Sequence, residues 1–119
     1  MKPIINYKEH CKVRIRNSDS AFNKHEVVKL LIMSLSNQKH KDAGIYSEHE
    51  LVNGDIVDVC IDLGKEQVYY EIQKEISKNW LDSIRDRDLS LDINTIVIKL
   101  KDLSNDLTEL TKQLENLMV

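Results

Sequence analysis

The sequence predicts an α/β fold: a helix, a three-stranded antiparallel meander, a second helix, a lone strand and a last helix, with helices flanking a mixed central sheet. Three observations carry this. A helix-length apolar run follows the N-cap residues Asn17-Ser18-Asp19-Ser20. Two turn signals, Asn53-Gly54 and Leu63-Gly64-Lys65-Glu66, punctuate runs rich in β-branched and aromatic residues. Leu103, Leu107, Leu110, Leu114 and Leu117 then recur in alternating steps of four and three.

Taken in order, Ile4 to Arg16 reads two ways. Tyr7 to Lys12 suits a helical turn, and Val13 to Arg16 alternates like a short strand. Ala21 to Leu35 is apolar around most of a helix, which predicts a well-buried one. The polar stretch from Asn37 to Gly44 closes it. Ile45 to Val52 reads as a strand, and Asn53-Gly54 suits a type I′ turn. Ile56 to Ile61 and Val68 to Ile72 are the next two strands. Ile76, Trp80, Leu81 and Ile84 then fall at helical spacing. Trp80 reads as a core anchor rather than a base-stacking platform. Arg85 and Arg87 near that helix end suit the dipole or could hold phosphates. Ile93 to Leu100 reads as a central apolar strand. The closing leucine stripe predicts a helix packed on its own sheet, with a dimer seam as the alternative.

The 119 residues fit one domain, with 41% apolar and 31% charged residues and a net charge of −3. That charge argues against indiscriminate nucleic-acid binding, but it is uneven. Lys2, Lys8, Lys12, Arg14 and Arg16 face Glu9 alone in the first sixteen residues. Such an arm suits phosphates, or is simply a solvated segment. Cys11 and Cys60 imply no disulfide framework, and no Cys/His spacing suits zinc. No run is long enough to span a membrane, and Met1 to Asn6 lacks an apolar signal region. The expectation is a cytoplasmic protein.

The unusual feature is Asp58, an acid in mid-strand among Val, Cys and Ile. Pairing the strands across Leu63–Glu66 sets Asp62 opposite Gln67, Cys60 opposite Tyr69, and Asp58 opposite Glu71. Alternation then places Asp58, Glu71 and Gln73 on one face, with Asp55, Ile72 and Lys74 on the other. Facing carboxylates repel, and a divalent cation between them is one remedy. The other reading puts one acid at a solvated edge and pairs Glu71 with a lysine. Glu26 reads as the N3 acid of a capping box, Asn23-Lys24-His25-Glu26, or as a third carboxylate aimed at the hairpin.

This element order, with an acid in the first helix, Asp in the second strand and Glu-x-Gln-Lys in the third, resembles the PD-(D/E)xK nuclease superfamily. The resemblance implies a restriction-endonuclease-like αβββαβα core and a metal-dependent DNA nuclease, dimeric and structure-selective. Small archaeal and viral Holliday-junction-resolvase-like nucleases are its compact members. Glu26 matches the first-helix acid, Asp58 the metal-binding Asp and Glu71 the acid of the third motif. Gln73 stands where the family carries its lysine, and the motif's proline is absent.

Carried over, Asp58, Glu71 and the Ile72 carbonyl would hold Mg2+ or Mn2+. Glu26 would orient water or hold a second metal, and Gln73 would orient water without supplying charge. Lys12, Arg14, Arg16, Lys24, His25 and Lys74 are the candidate DNA contacts. Two alternatives stand beside this reading. One is a weak or inactive nuclease-like module that binds DNA or a protein complex. The other is an interaction protein built on the leucine stripe.

Overall fold

The computed structural model describes residues 23–119. The helical turn or short strand read at 4–16, the N-cap cluster at 17–20 and Cys11 lie outside them. Asn23 caps the first helix, its side chain accepting the His25 N–H at 2.9 Å. Helix α1 spans Lys24–Lys39, ending beyond the expected Leu35. Three strands follow, β1 (Gly44–Glu50), β2 (Ile56–Asp62) and β3 (Gln67–Gln73). Then come α2 (Lys78–Leu91), β4 (Thr95–Lys99), a 3-10 turn (Leu100–Asp102) and α3 (Leu107–Leu117). The fold is α/β with a mixed four-stranded sheet, in the element order that the sequence predicts.

Both hairpin turns use glycines with left-handed φ. The Leu63–Glu66 turn forms as expected, with Asp62 Oδ1 accepting the Gly64 N–H at 2.9 Å. The first hairpin differs from the expected two-residue turn. Its loop runs from Leu51 to Asp55, closed by Leu51 N–H to the Asp55 carbonyl at 2.7 Å. Asn53 places its side-chain oxygen on the Asp55 N–H instead of completing a type I′ pair. Helix α2 starts where the Ser77 hydroxyl accepts the Trp80 N–H, and stops at Asp92, in the left-handed conformation at φ 55°.

The sheet order is β1-β2-β3-β4, antiparallel except for the parallel β3–β4 pair. A parallel neighbour needs a crossover, and α2 supplies it. β4 is therefore a border strand among the described residues, not the central one its apolar run suggested. Trp80 is half-buried rather than a full core anchor.

α1 and α3 cover one face of the sheet. Val28, Leu31 and Ile32 meet Val59, Ile61, Tyr70 and Ile72, with Leu107, Leu110 and Leu114 completing the core. Leu51, Val57, Cys60 and Tyr69 form a smaller cluster, against which Leu91 and Ile93 pack. Cys60 is a fully buried apolar residue, its thiol pushed up to about 11 by burial and then by the charge of Asp62.

The leucine stripe lies in this chain's own core: Leu103, Leu107, Leu110 and Leu114 are buried, and Leu117 is half exposed. A homodimer would need another surface. Lys24, expected on the DNA, is buried instead. Its Nζ donates to the carbonyls of Leu100 at 2.8 Å and Leu103 at 2.6 Å, tying the start of α1 to the 3-10 turn. Burial lowers its pKa.

Leu114→Ala should cost about 2–5 kcal/mol in urea unfolding, whereas Leu117→Ala should stay within about 0.5 kcal/mol. Equal effects at both positions would contradict this packing.

Candidate functional site

The β2–β3 register pairs Asp62 with Gln67, Cys60 with Tyr69 and Val59 with Tyr70. Beyond it the ladder gives way. The Asp58 carboxylate takes the Ile72 backbone N–H on Oδ2 at 2.7 Å, and the Asp58 backbone in turn hydrogen-bonds the Glu71 carboxylate. Each strand's acid thus occupies a backbone group of the other.

The same point disturbs β1–β2. Ser47 pairs with Val59 and His49 with Val57, while Glu48, opposite Asp58, takes a left-handed φ of 53°. Side-chain alternation slips there in both strands. Val57 joins Cys60 in the smaller cluster, and the His49 ring stands 6.0 Å from Tyr46 and 6.1 Å from Tyr69. Asp58 therefore leaves the face that strict alternation assigned to it and turns towards α1. Its Oδ1 lies 3.4 Å from His25 Nε2.

Helix α1 presents three charged or polar groups here. His25 and Lys29 are four residues apart, and Glu26 and Lys29 three apart, so one face carries all three. His25 Nδ1 lies 3.2 Å from Glu26, whose side chain is 61% exposed. Lys29 Nζ lies 2.6 Å from Glu48 Oε1 and 3.6 Å from Glu26 Oε2. The Glu48 hydrogen bond raises its pKa most, burial opposes this, and the charges of Glu26, Glu48 and Asp58 add to the rise.

Glu71 is only 7% exposed. Burial, then the charge of Asp58, pushes its carboxyl up from its ordinary 4.5 to about 7, with Asp55 adding to the rise. The Arg87 guanidinium and the Asp58 backbone hold it down in part. Arg87 is neither at the helix dipole nor free for phosphate. It is buried, bonded to Thr95 Oγ1 at 2.9 Å and Asp88 Oδ1 at 3.2 Å, and 3.6 Å from Asp55. Arg85 is exposed.

Of the residues singled out from sequence, Asp58, Glu71, Ile72, His25 and Glu26 gather around the break in the ladder. Gln73 ends β3 two residues past Glu71, paired with Lys99, and Lys74 is exposed beyond it. Lys24 lies elsewhere, and Lys12, Arg14 and Arg16 fall outside the described residues. Lys29, Glu48 and the buried Arg87 were not foreseen as partners. The three- and four-residue spacing on α1 could have revealed Lys29. The run Ser47-Glu48-His49-Glu50, polar at every position, could have flagged an irregular strand.

Among the described residues no three His, Cys, Asp or Glu side chains converge as a metal cluster. No described helix is long and apolar enough to cross a membrane. No protein-family model, curated protein or solved structure matches the chain.

A carboxyl whose folded pKa exceeds its unfolded one costs stability as pH rises. Glu71 should therefore weaken the fold between pH 4.5 and about 7, by up to roughly 3 kcal/mol, with no cost below that window. The Glu71→Gln variant should lack this loss. The check is urea unfolding of both proteins across that range without divalent ions.

Proposed function

We propose that this chain is a metal-dependent DNA nuclease with a restriction-endonuclease-like core. The observation that carries this reading is the pairing of Asp58 and Glu71 across an opened ladder, with one carboxylate buried beside the other's charge. The sheet order and the parallel crossover through α2 are compatible with that core.

The donor set fits a hard divalent cation. Two carboxylates and the Ile72 carbonyl offer oxygen alone, and Glu71, raised first by burial, also meets the Asp58 charge, which Arg87 opposes. Bound there, Mg2+ or Mn2+ would supply Lewis-acid activation of water and charge neutralisation at the phosphate. The chain's own residues do the rest. Asp58 and Glu71 would hold the cation, with Asp58 itself fixed by Ile72 N–H and His25. Glu26, exposed beside His25, would orient water. Gln73 can donate and accept hydrogen bonds to water but brings no charge. His25 and the exposed Lys74 would contact the DNA.

A second reading, a nuclease-like module that binds DNA without cutting it, is favoured by Gln73 at the lysine position and by the absence of a third converging ligand side chain among the described residues.

Calorimetric titration with Mn2+, followed by a cleavage assay on plasmid and oligonucleotide DNA, tests both. Wild type should bind the ion and cut. Asp58→Ala and Glu71→Ala should each lose detectable cleavage while keeping a cooperative unfolding transition. Cleavage that survives both substitutions removes the nuclease reading, and DNA binding without cleavage in the wild type selects the second.

A further inference from the structure

A phosphodiester gains negative charge as it is cleaved, and a preorganised cation at that point lowers the barrier. Gln73 carries none. Among the described residues, two cations with largely buried side chains stand beside these carboxylates, Lys29 at 12% exposure and Arg87 at 6%. Arg87 is committed: Asp88 and Thr95 hold its guanidinium on the α2 side.

Lys29 is different. It projects from α1 on the same face as His25, which touches Asp58. Its ammonium feels the Asp58 charge, and its closest partner is Glu48, whose side chain is 61% exposed. Glu48 stands on the left-handed residue of β1 opposite Asp58. A lysine ammonium is a compact charge with three donors. Held by a solvent-facing carboxylate, it can exchange that partner for an incoming phosphate oxygen without crossing a buried region.

We infer that Lys29, delivered from α1 rather than β3, is the cation that meets the phosphate undergoing cleavage. The inference rests on the nuclease reading above, with Asp58 and Glu71 as its metal ligands.

The test combines cleavage with duplex binding. Lys29→Met should lower the Mn2+-dependent cleavage rate at least about 100-fold. Gln73→Lys in the Lys29→Met background should restore at least about ten-fold, because a charge returns at the same phosphate from the neighbouring strand. Glu48→Gln removes the same ion pair from its other side but leaves the ammonium in place, and should lower cleavage at least about ten-fold less than Lys29→Met does. With a short fluorescein-labelled duplex in EDTA, Lys29→Met should reduce the slope of log affinity against log salt by about 1. Lys29→Gln serves in place of Lys29→Met if that variant fails to unfold cooperatively.

A wild type that cleaves, with Lys29→Met equally active, overturns the inference and leaves the nuclease reading standing. Equal losses in Lys29→Met and Glu48→Gln that Gln73→Lys does not reverse make Lys29 a strut for β1 and also overturn it. A wild type that binds the duplex without cutting, with an unchanged salt slope in Lys29→Met, overturns it as well. A wild type that neither cuts nor binds the duplex removes both readings together.

Discussion

The Asp58 carboxylate accepts the Ile72 backbone N–H, and the rest of the site depends on that bond. A ladder hydrogen bond is replaced by a side chain, so β2 and β3 part without leaving a buried N–H unpaired. Reciprocally, the Asp58 backbone serves Glu71. The opening that results is where an acid can be buried beside another acid at tolerable cost. In a continuous ladder the same two carboxylates would stand opposite each other with no backbone donor to hold either.

Helix α1 is built to sit over this opening. Its apolar residues Val28, Leu31 and Ile32 fix it against β2 and β3, and the buried Lys24 ammonium anchors its first turn to two carbonyls of the 3-10 turn. Those two attachments leave little freedom for the polar edge of the helix. His25, Glu26 and Lys29 are held over Asp58 and Glu48 by the packing beneath them, and a charge held in this way needs little reorganisation on meeting a ligand.

The sequence carried the element order, the Leu63–Glu66 turn and the β2–β3 register at Asp62 and Cys60, because these follow from local turn chemistry and period-two patterning, while the expected Asp58–Glu71 ladder pair does not form. Asp58 also stood out as a mid-strand acid facing Glu71, and the two do interact. What it could not carry follows from two assumptions. Strict alternation misplaces Asp58, since a left-handed Glu48 and a shared slip leave no trace in hydrophobicity. Local pattern also misreads Lys24 and β4. The acceptors of Lys24 lie 76 and 79 residues away, and the place of β4 depends on where a crossover helix sets it down. Arg87 was missed for the same reason, since Thr95 reaches it only after α2 has turned back.

The two strands bordering the described sheet differ in how they meet a foreign chain. A border strand presents unpaired backbone groups, a template on which another polypeptide can add. β1 breaks its template at Glu48, where the left-handed residue interrupts an extended run that also carries His49 and Glu50. β4 keeps its template short: five residues, closing on Lys99, with Lys101 just beyond. Charge and brevity on one side and a kink on the other hinder strand addition. A sheet opened between β2 and β3 is thereby kept from becoming a nucleus for fibrils at its borders.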